Sequence, residues 1–193
     1  YWRELDYQRL MRANLDGSGI EIFATGAPGL SLGGMVIDPT EGTIHFATAG
    51  IESMDLDGSD RRWAVLPLGA PWSLEIDGVE GRMFWCDGAK RIWRANLDGQ
   101  DVESVQTTSS YVYGFALDAS GRKLYWAEGP NLYRSDLDGS GTELLSSSYE
   151  SSAISIDEAN GKIYRGYAFG EYLYRSNLDG TGSEYLFPAP DLG

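Results

Sequence analysis

The sequence predicts an all-β protein made of five consecutive four-stranded units, and two observations lead to this prediction. First, a six-residue phrase ending in Asp-Gly occurs five times, and successive copies start 41, 41, 40 and 41 residues apart. A fixed period of about 40 residues is the mark of a repeat architecture and takes precedence over local patterns. Second, short alternating apolar segments and Gly-containing turns, without helical periodicity, fill the space between the copies. The phrases end at Asp16-Gly17, Asp57-Gly58, Asp98-Gly99, Asp138-Gly139 and Asp179-Gly180.

The first strand of each unit is an alternating apolar segment that closes on an aspartate. In the third unit, Leu74 and Ile76 flank Glu75, and Asp77 ends the segment. This period of two is typical of a β-strand. A turn containing glycine follows, because a tight hairpin needs a residue that tolerates positive φ. The same pattern closes on Asp38, Asp118 and Asp157.

The second strand carries an aromatic box, the third strand is the repeated phrase, and a fourth strand follows the Asp-Gly turn. Four-stranded units of about 40 residues predict the blades of a β-propeller, because stacked blades bury sheet faces that a single sheet leaves exposed. The aromatic positions are therefore expected to form the core between blades. The boxes are Tyr1–Glu4, His45–Thr48, Phe84–Asp87, Tyr125–Glu128 and Tyr164–Tyr167.

The repeat predicts one domain over residues 1–193, because no linker interrupts it. Its units span approximately 1–27, 28–68, 69–108, 109–148 and 149–190, and the first unit lacks its innermost strand. Two arrangements stay open: most of a six-bladed ring, which we favour, or a closed five-bladed ring. An open ring would leave terminal blade faces uncovered, so the six-blade interpretation predicts self-association of this segment. Because the chain opens in the middle of a box, we expect a processed product or part of a longer polypeptide.

The net charge of −14 restricts the partners. Without a basic stripe the chain has no means of neutralising phosphates, so nucleic acid is not an expected partner, and the acidity favours a basic one. No apolar run is long enough for membrane insertion, and no targeting segment is present. Cys86 is the single cysteine, so it cannot form an internal disulfide.

Two boxes carry a family resemblance. Tyr125-Trp126-Ala127-Glu128 and Phe84-Trp85-Cys86-Asp87 are similar to a Tyr-Trp-Thr-Asp box. Together with the Asn-Leu-Asp-Gly-Ser-Gly phrase, they make the whole chain resemble the YWTD β-propellers, or low-density lipoprotein receptor class B repeats, of receptor relatives and nidogen. The resemblance implies a six-bladed propeller in an extracellular or cell-surface protein that binds other proteins. The boxes of units two and five depart from the pattern, since they lack the final acid.

Several residues that suggest metal or nucleophile chemistry have a structural explanation. Asp136, Asp138 and Ser140 match positions one, three and five of a calcium-binding loop. Position twelve of such a loop needs a glutamate, and here it is Ser147. His45 occupies a packing position of its box, and no second histidine could complete a zinc site. Cys86 lies inside a strand and is expected to be a buried thiol. No cofactor or metal site is therefore predicted.

Two sets of repeated polar residues are expected to be structural, and one residue departs from its repeat. The turn aspartates Asp16, Asp57, Asp98, Asp138 and Asp179 should hold the turns. An arginine four residues before them, replaced by Ser53 in unit two, should pair with aspartate or backbone carbonyls. Glu75 stands where other units have Val36, Ala116 and Ser155, so it is a candidate polar residue of the central channel.

Binding residues are expected in the segments that vary between units. The repeated turns share one side of a propeller, so the opposite side is built from the loops between strands two and three and between blades. Variable loops on a rigid scaffold often carry function, and aromatic side chains anchor interfaces. The candidate partner-binding residues are Trp72, Tyr111, Tyr149, Phe169 and Tyr172.

The leading functional hypothesis is a non-enzymatic protein–protein interaction module, because the sequence lacks a catalytic cluster and resembles binding propellers. The first alternative is a lactonase- or lyase-type propeller enzyme with a polar or metal site at the channel mouth, for which Glu75 is the single candidate. The second alternative is a structural module of an extracellular assembly. It differs from the leading hypothesis in having a permanent partner rather than an exchangeable one.

Overall fold

The computed structural model describes residues 1–4, 9–25, 34–66, 71–147, 151–167 and 172–187. These residues form β-strands joined by turns and loops, and they contain no helix. We number the strands in chain order and call each sheet a blade. Blade one is β1 (Trp2–Glu4), β2 (Arg9–Arg12) and β3 (Glu21–Thr25); blade two is β4 (Met35–Asp38), β5 (Thr43–Ala47), β6 (Ile51–Asp55) and β7 (Arg62–Val65); blade three is β8 (Pro71–Asp77), β9 (Arg82–Asp87), β10 (Arg91–Asn96) and β11 (Glu103–Thr107); blade four is β12 (Val112–Asp118), β13 (Lys123–Glu128), β14 (Asn131–Asp136) and β15 (Glu143–Ser146); blade five is β16 (Ala153–Asp157), β17 (Lys162–Tyr167), β18 (Tyr172–Asn177) and β19 (Glu184–Phe187).

Within each blade the strands pair in chain order, and every pair is antiparallel. Blade one has three strands among the described residues, and the other blades have four. The first strands of successive blades contact one another, with β8 against both β4 and β12, and β12 against β16. Inner strands that meet in this order are the arrangement of a β-propeller, so the predicted all-β fold class is confirmed.

The Asp-Gly turns join the third and fourth strands of the blades. In the turn after β14, Asp138 Oδ1 accepts hydrogen bonds from the backbone N–H and the hydroxyl of Ser140, at 2.9 and 2.6 Å. These bonds lower the pKa of Asp138, the hydroxyl contributing most. Gly139 has a φ of +84°, which L side chains rarely adopt. Local hydrogen bonding and glycine geometry together account for the repetition of this dipeptide.

The aromatic boxes of blades three and four lie in the cores between blades, as predicted, whereas Tyr1 and Trp2 of the first box are 39% and 37% exposed. Phe84 from blade three packs in one buried cluster with Trp126 from blade four. Trp85, the next box residue, points the other way and packs with Ile51 and Val65 of blade two. Alternation along β9 therefore sends consecutive box residues into two different inter-blade cores.

Candidate functional site

The register of the strands distinguishes the two ends of a blade. In blade three, Pro71 at the start of β8 pairs with Asp87 at the end of β9, and Asp77 pairs with Arg82. We call the end with Pro71 and Asp87 the loop end, because the loops between strands two and three and between blades lie there. The opposite end, with Asp77 and the Asp-Gly turns, is the turn end.

Three exposed aromatic rings meet at the loop end between blades three and four. The Trp72 ring stacks on Tyr111 with centroids 5.5 Å apart and an interplanar angle of 24°. Tyr113 lies 6.1 Å from Trp72 and 6.3 Å from Tyr111. Exposed fractions are 37% for Trp72, 40% for Tyr111 and 54% for Tyr113. We call Trp72, Tyr111 and Tyr113 the aromatic cluster.

Two β-bulges place the side chains of this cluster. In blade three, Pro71 and Ser73 pair with the consecutive β9 residues Asp87 and Cys86. Trp72, between them, has no partner and is therefore the extra residue of the bulge. In blade four, Val112 and Gly114 pair with the consecutive β13 residues Glu128 and Ala127, so Tyr113 is the extra residue. A bulge leaves one residue out of the ladder and redirects its side chain. Both bulge residues here are exposed aromatics, and they come from neighbouring blades.

The sequence identified Trp72 and Tyr111 as candidates but missed Tyr113. The available signal was alternation, because Val112 is buried and the tyrosines on either side of it are exposed. Lys90 adds a charge to this surface, with its Nζ 5.5 Å from the Tyr111 ring centre and donating to Ser109 O at 3.2 Å.

Tyr172, another candidate, is 47% exposed at the start of β18. Its ring neighbours are Tyr174 and Tyr185 of the same blade, each 6.1 Å away, so it belongs to a separate aromatic group on blade five. The candidates Tyr149 and Phe169 lie outside the described residues.

The final acids of the boxes hold the loop end beneath the aromatic cluster. Glu128 Oε2 accepts hydrogen bonds from the backbone N–H groups of Ser109 and Ser110 and from the Ser109 hydroxyl. Its Oε1 accepts from Trp126 Nε1 at 2.9 Å. Since Tyr111 follows Ser110 directly, this carboxylate anchors the segment that presents the Tyr111 ring.

Asp87 plays the corresponding part in blade three. It accepts from the N–H groups of Ala89 and Arg91 and from Trp93 Nε1, the last at 2.7 Å. In blade two, the box ends instead on Thr48, whose buried Oγ1 has no hydrogen-bond partner among the described residues.

The polar and nucleophilic candidates are dispersed. Glu75 lies on the inner strand β8, partly buried, and burial raises its pKa to about 7. Cys86 is fully buried, and burial raises the pKa of its thiol to about 12. Among the described residues, no group of three or more His, Cys, Asp or Glu side chains is arranged to hold a metal ion.

The repeated arginines join neighbouring blades, although their carboxylate partner differs from the expected aspartate. Arg94 Nε donates to Glu103, nine residues later on the next strand, at 2.6 Å. Its Nη1 donates to the backbone carbonyl of Leu137 in the following blade at 3.0 Å. The glutamate directly opposite on the fourth strand is closer to the guanidinium than the turn aspartate, which bonds within its own turn.

The fold defines a β-propeller, and its repeated boxes are similar to those of YWTD repeats. Its homologues are low-density lipoprotein receptor-related proteins and nidogen, which confirms the resemblance seen in the sequence. A Pyricularia oryzae protein named low-density lipoprotein receptor-related protein 1 is 25% identical over 150 residues, covering 64% of this chain and 48% of the relative. A human low-density lipoprotein receptor-related protein 5-like protein is 26% identical over 142 residues, covering 66% and 53%. Drosophila melanogaster nidogen is 40% identical over 57 residues, 28% of this chain and 4% of nidogen. The chain thus matches about half of the length of the first two relatives. No family model matches it.

Solved structures share the fold. The crystal structure of a nidogen/laminin complex matches with a TM-score of 0.84 and 18% identity, covering 94% of this chain and 76% of the matched chain. A putative TolB from Agrobacterium tumefaciens matches with a TM-score of 0.77 and 17% identity, covering 94% and 74%. Within the part of the chain that the structure describes, no helix has the length and apolar character to span a membrane.

Proposed function

We propose that this chain is a non-enzymatic protein-binding module of an extracellular or cell-surface protein. Its binding surface is the loop end, with the aromatic cluster of Trp72, Tyr111 and Tyr113 as the anchor. Tyr172, Tyr149 and Phe169 belong to the same proposed surface. The observation that carries the proposal is the pair of bulges that turn Trp72 and Tyr113 outward from adjacent blades.

Physical chemistry favours protein binding at such a surface. Exposed aromatic rings offer a large apolar area, and they lose little side-chain entropy when they become buried. The scaffold beneath them is rigid, because Asp87 and Glu128 each bind several donors of the adjoining loops. A preformed cluster therefore loses less conformational entropy on association than mobile side chains would.

The comparisons support a protein partner and an extracellular setting. The nidogen chain with the same fold was crystallised with laminin, and the other relatives are named as receptor-related proteins. The net charge of −14 favours a partner with a basic surface.

The proposal is tested by immobilising the chain and recovering proteins from an extracellular fraction. A Trp72→Ser/Tyr111→Ser/Tyr113→Ser variant should lose specific partners, since anchor residues of this type each contribute about 2 kcal/mol or more to binding. Trp63→Ser is the matched control, because Trp63 is 46% exposed but lies at the start of β7, at the turn end of blade two. Both variants should melt like the parent. Identical recovery by the parent and the triple variant would remove the aromatic cluster as the binding surface.

A further inference from the structure

In blades three, four and five, an aromatic residue, an arginine and a glutamate lie opposite one another on the second, third and fourth strands. Blade two has a different residue type at each of these three positions. In blade four this strip of residues is Tyr125, Arg134 and Glu143, each opposite the next. Blade three has Phe84, Arg94 and Glu103, and blade five has Tyr164, Arg175 and Glu184. In blade two the corresponding residues are His45, Ser53 and Arg62.

The arginine of the strip has one repeated contact with the following blade. Arg12, Arg94 and Arg134 each donate through Nη1 to a leucine carbonyl in the next blade, at 2.8, 3.0 and 3.0 Å. The acceptors are Leu56, Leu137 and Leu178, which are 43 or 44 residues further on. In blade two the equivalent position is Ser53, and at the same spacing the equivalent leucine is Leu97 of blade three. A serine side chain is too short to make this contact.

A groove of about 450 Å³ lies at this junction, at the turn end between blades two and three. Thr43, His45 and Ser53 line it from blade two, and Leu97 and Asp98 line it from blade three. The corresponding groove between blades three and four has about 430 Å³ and includes Arg94, which donates to the Leu137 carbonyl. The two grooves have similar size but differ in chemistry, because the chain supplies an arginine to the second and none from β6 to the first.

His45 lines the first groove and carries a buried polar atom without a partner. It is 3% exposed, its Nε2 lies 3.3 Å from Thr43 Oγ1, and its buried Nδ1 has no hydrogen-bond partner among the described residues. Burial lowers the pKa of His45, so the ring is neutral at pH 7. When Nε2–H donates to Thr43, Nδ1 is an acceptor. Because a buried acceptor without a donor is costly, a ligand that supplies the donor gains that free energy.

The charged groups around the groove favour a cation. Glu41 and Asp98 line it and each carries a carboxylate, that of Asp98 also accepting from Gln100 N–H in its own turn. Arg62 also lines it, but its Nη1 donates to Asp60 O at 3.0 Å and lies 3.9 Å from the Asp55 carboxylate. The one described cation of the groove is thus engaged by acceptors of its own hairpin.

We propose that this groove binds an arginine side chain of a partner protein. The incoming guanidinium donates to the Leu97 carbonyl, as Arg94 does to that of Leu137, and lies near Glu41, Asp98 and His45 Nδ1. Blades one, three and four supply the template, because their own arginines fill the equivalent position. This site is at the turn end, whereas the aromatic cluster is at the loop end, so the two proposals are independent.

His45 is the only histidine, so its imidazole resonances report on this groove alone. We would titrate the full chain with N-acetylarginine amide and follow the two ring nitrogens by NMR. The arginine probe should shift Nδ1 with a dissociation constant on the order of millimolar, as suits a small solvated ligand. N-acetylcitrulline amide, its uncharged analogue, should have no effect at the same concentrations. Equal shifts from both probes, or none from the arginine probe, would overturn the proposal.

Two variants supply the structural controls. Ser53→Arg restores the residue that the other blades carry, so it should fill the position from within and abolish the response. Arg62→Ala removes a like charge from the groove and should strengthen binding by about twofold or more. Weaker binding of the arginine probe by Arg62→Ala would contradict a groove that favours cations. If Ser53→Arg does not fold, Glu41→Gln, at an exposed turn, should weaken binding about two- to fivefold; unchanged binding in that variant would contradict the proposal. The triple variant of the aromatic cluster should bind the arginine probe normally, which separates this result from the test of the loop end.

Discussion

Gly139 lies directly against the backbone carbonyl of Val105 in the preceding blade: a Cβ atom on Gly139 would be 2.1 Å from that oxygen. Gly99 and Gly180 approach the fourth strands of their preceding blades in the same way, next to Ala64 and Leu145. The glycine of the repeated turn therefore has two functions. It permits a positive φ, and it allows close contact between blades.

Gly139→Ala should destabilise the protein by about 2–5 kcal/mol, since backbone strain and overpacking both contribute. Gly17→Ala is the matched control, because Gly17 has a φ of +82° but a Cβ there would meet no atom within 4 Å. The control should cost about 1–2 kcal/mol from strain alone. Urea unfolding of both variants measures the difference, and equal costs would show that the close approach to Val105 has no energetic effect.

Glu75 should make stability depend on pH. Burial raises its pKa to about 7, whereas an unfolded glutamate titrates near 4.5. The stability that protonated Glu75 contributes is fully present below about pH 4.5, and it is lost as the pH rises through about 7. Glu75→Gln, which is always neutral, should therefore stabilise the protein at pH 8 by about 1–3 kcal/mol and have little effect at pH 4.

Glu103→Gln provides the control with opposite sign. The hydrogen bond from Arg94 lowers the pKa of Glu103, so the charged form is stabilising above the unfolded pKa. Its replacement should slightly destabilise the protein at pH 8. Thermal melts of both variants at the two pH values check this assignment, and a Glu75→Gln effect independent of pH would contradict the raised pKa.

Glu128 should be the residue whose loss most disturbs the loop end. Glu128→Ala removes the acceptor of four hydrogen bonds, from Ser109 N–H and hydroxyl, Ser110 N–H and Trp126 Nε1. The expected cost is about 2–4 kcal/mol, because buried donors lose their partner. Amide exchange at Ser109 and Ser110 should become faster. Glu128→Gln retains one acceptor oxygen and should lose less, and protection unchanged in the alanine variant would contradict the anchoring role.

The six-blade interpretation predicts that the chain of residues 1–193 self-associates. Blade one exposes Trp2, Ile20 and Ile22. A Cβ atom on Gly17 would meet no atom within 4 Å, whereas one on Gly99 would overlap Ala64 of the preceding blade. Apolar surface of this kind promotes association. Light scattering over a concentration series measures it, and Ile20→Lys/Ile22→Lys should reduce it. A stable, monodisperse parent monomer would contradict the six-blade interpretation and favour a closed five-bladed ring.

The sequence alone determined the all-β class, the blade pattern and the turns, because each depends on residues close together in the chain. Asp138, Gly139 and Ser140 form their turn within three residues, so their hydrogen bonds can be inferred from the phrase. The alternation in Phe84 and Trp85 likewise predicts that the two rings face opposite sides of a strand. Repetition of these local signals made the fold predictable without any long-range information.

The tertiary structure decided which residues meet between blades. The bulges at Trp72 and Tyr113 arise from register with the neighbouring strands, and no local motif in the sequence marks them. Arg134 reaches the carbonyl of Leu178, 44 residues away, and a backbone acceptor has no side-chain signature. Contacts between blades depend on the rotation and distance of one sheet relative to the next. A repeat period identifies which segments form blades, whereas only three-dimensional packing determines which atoms come within hydrogen-bonding distance.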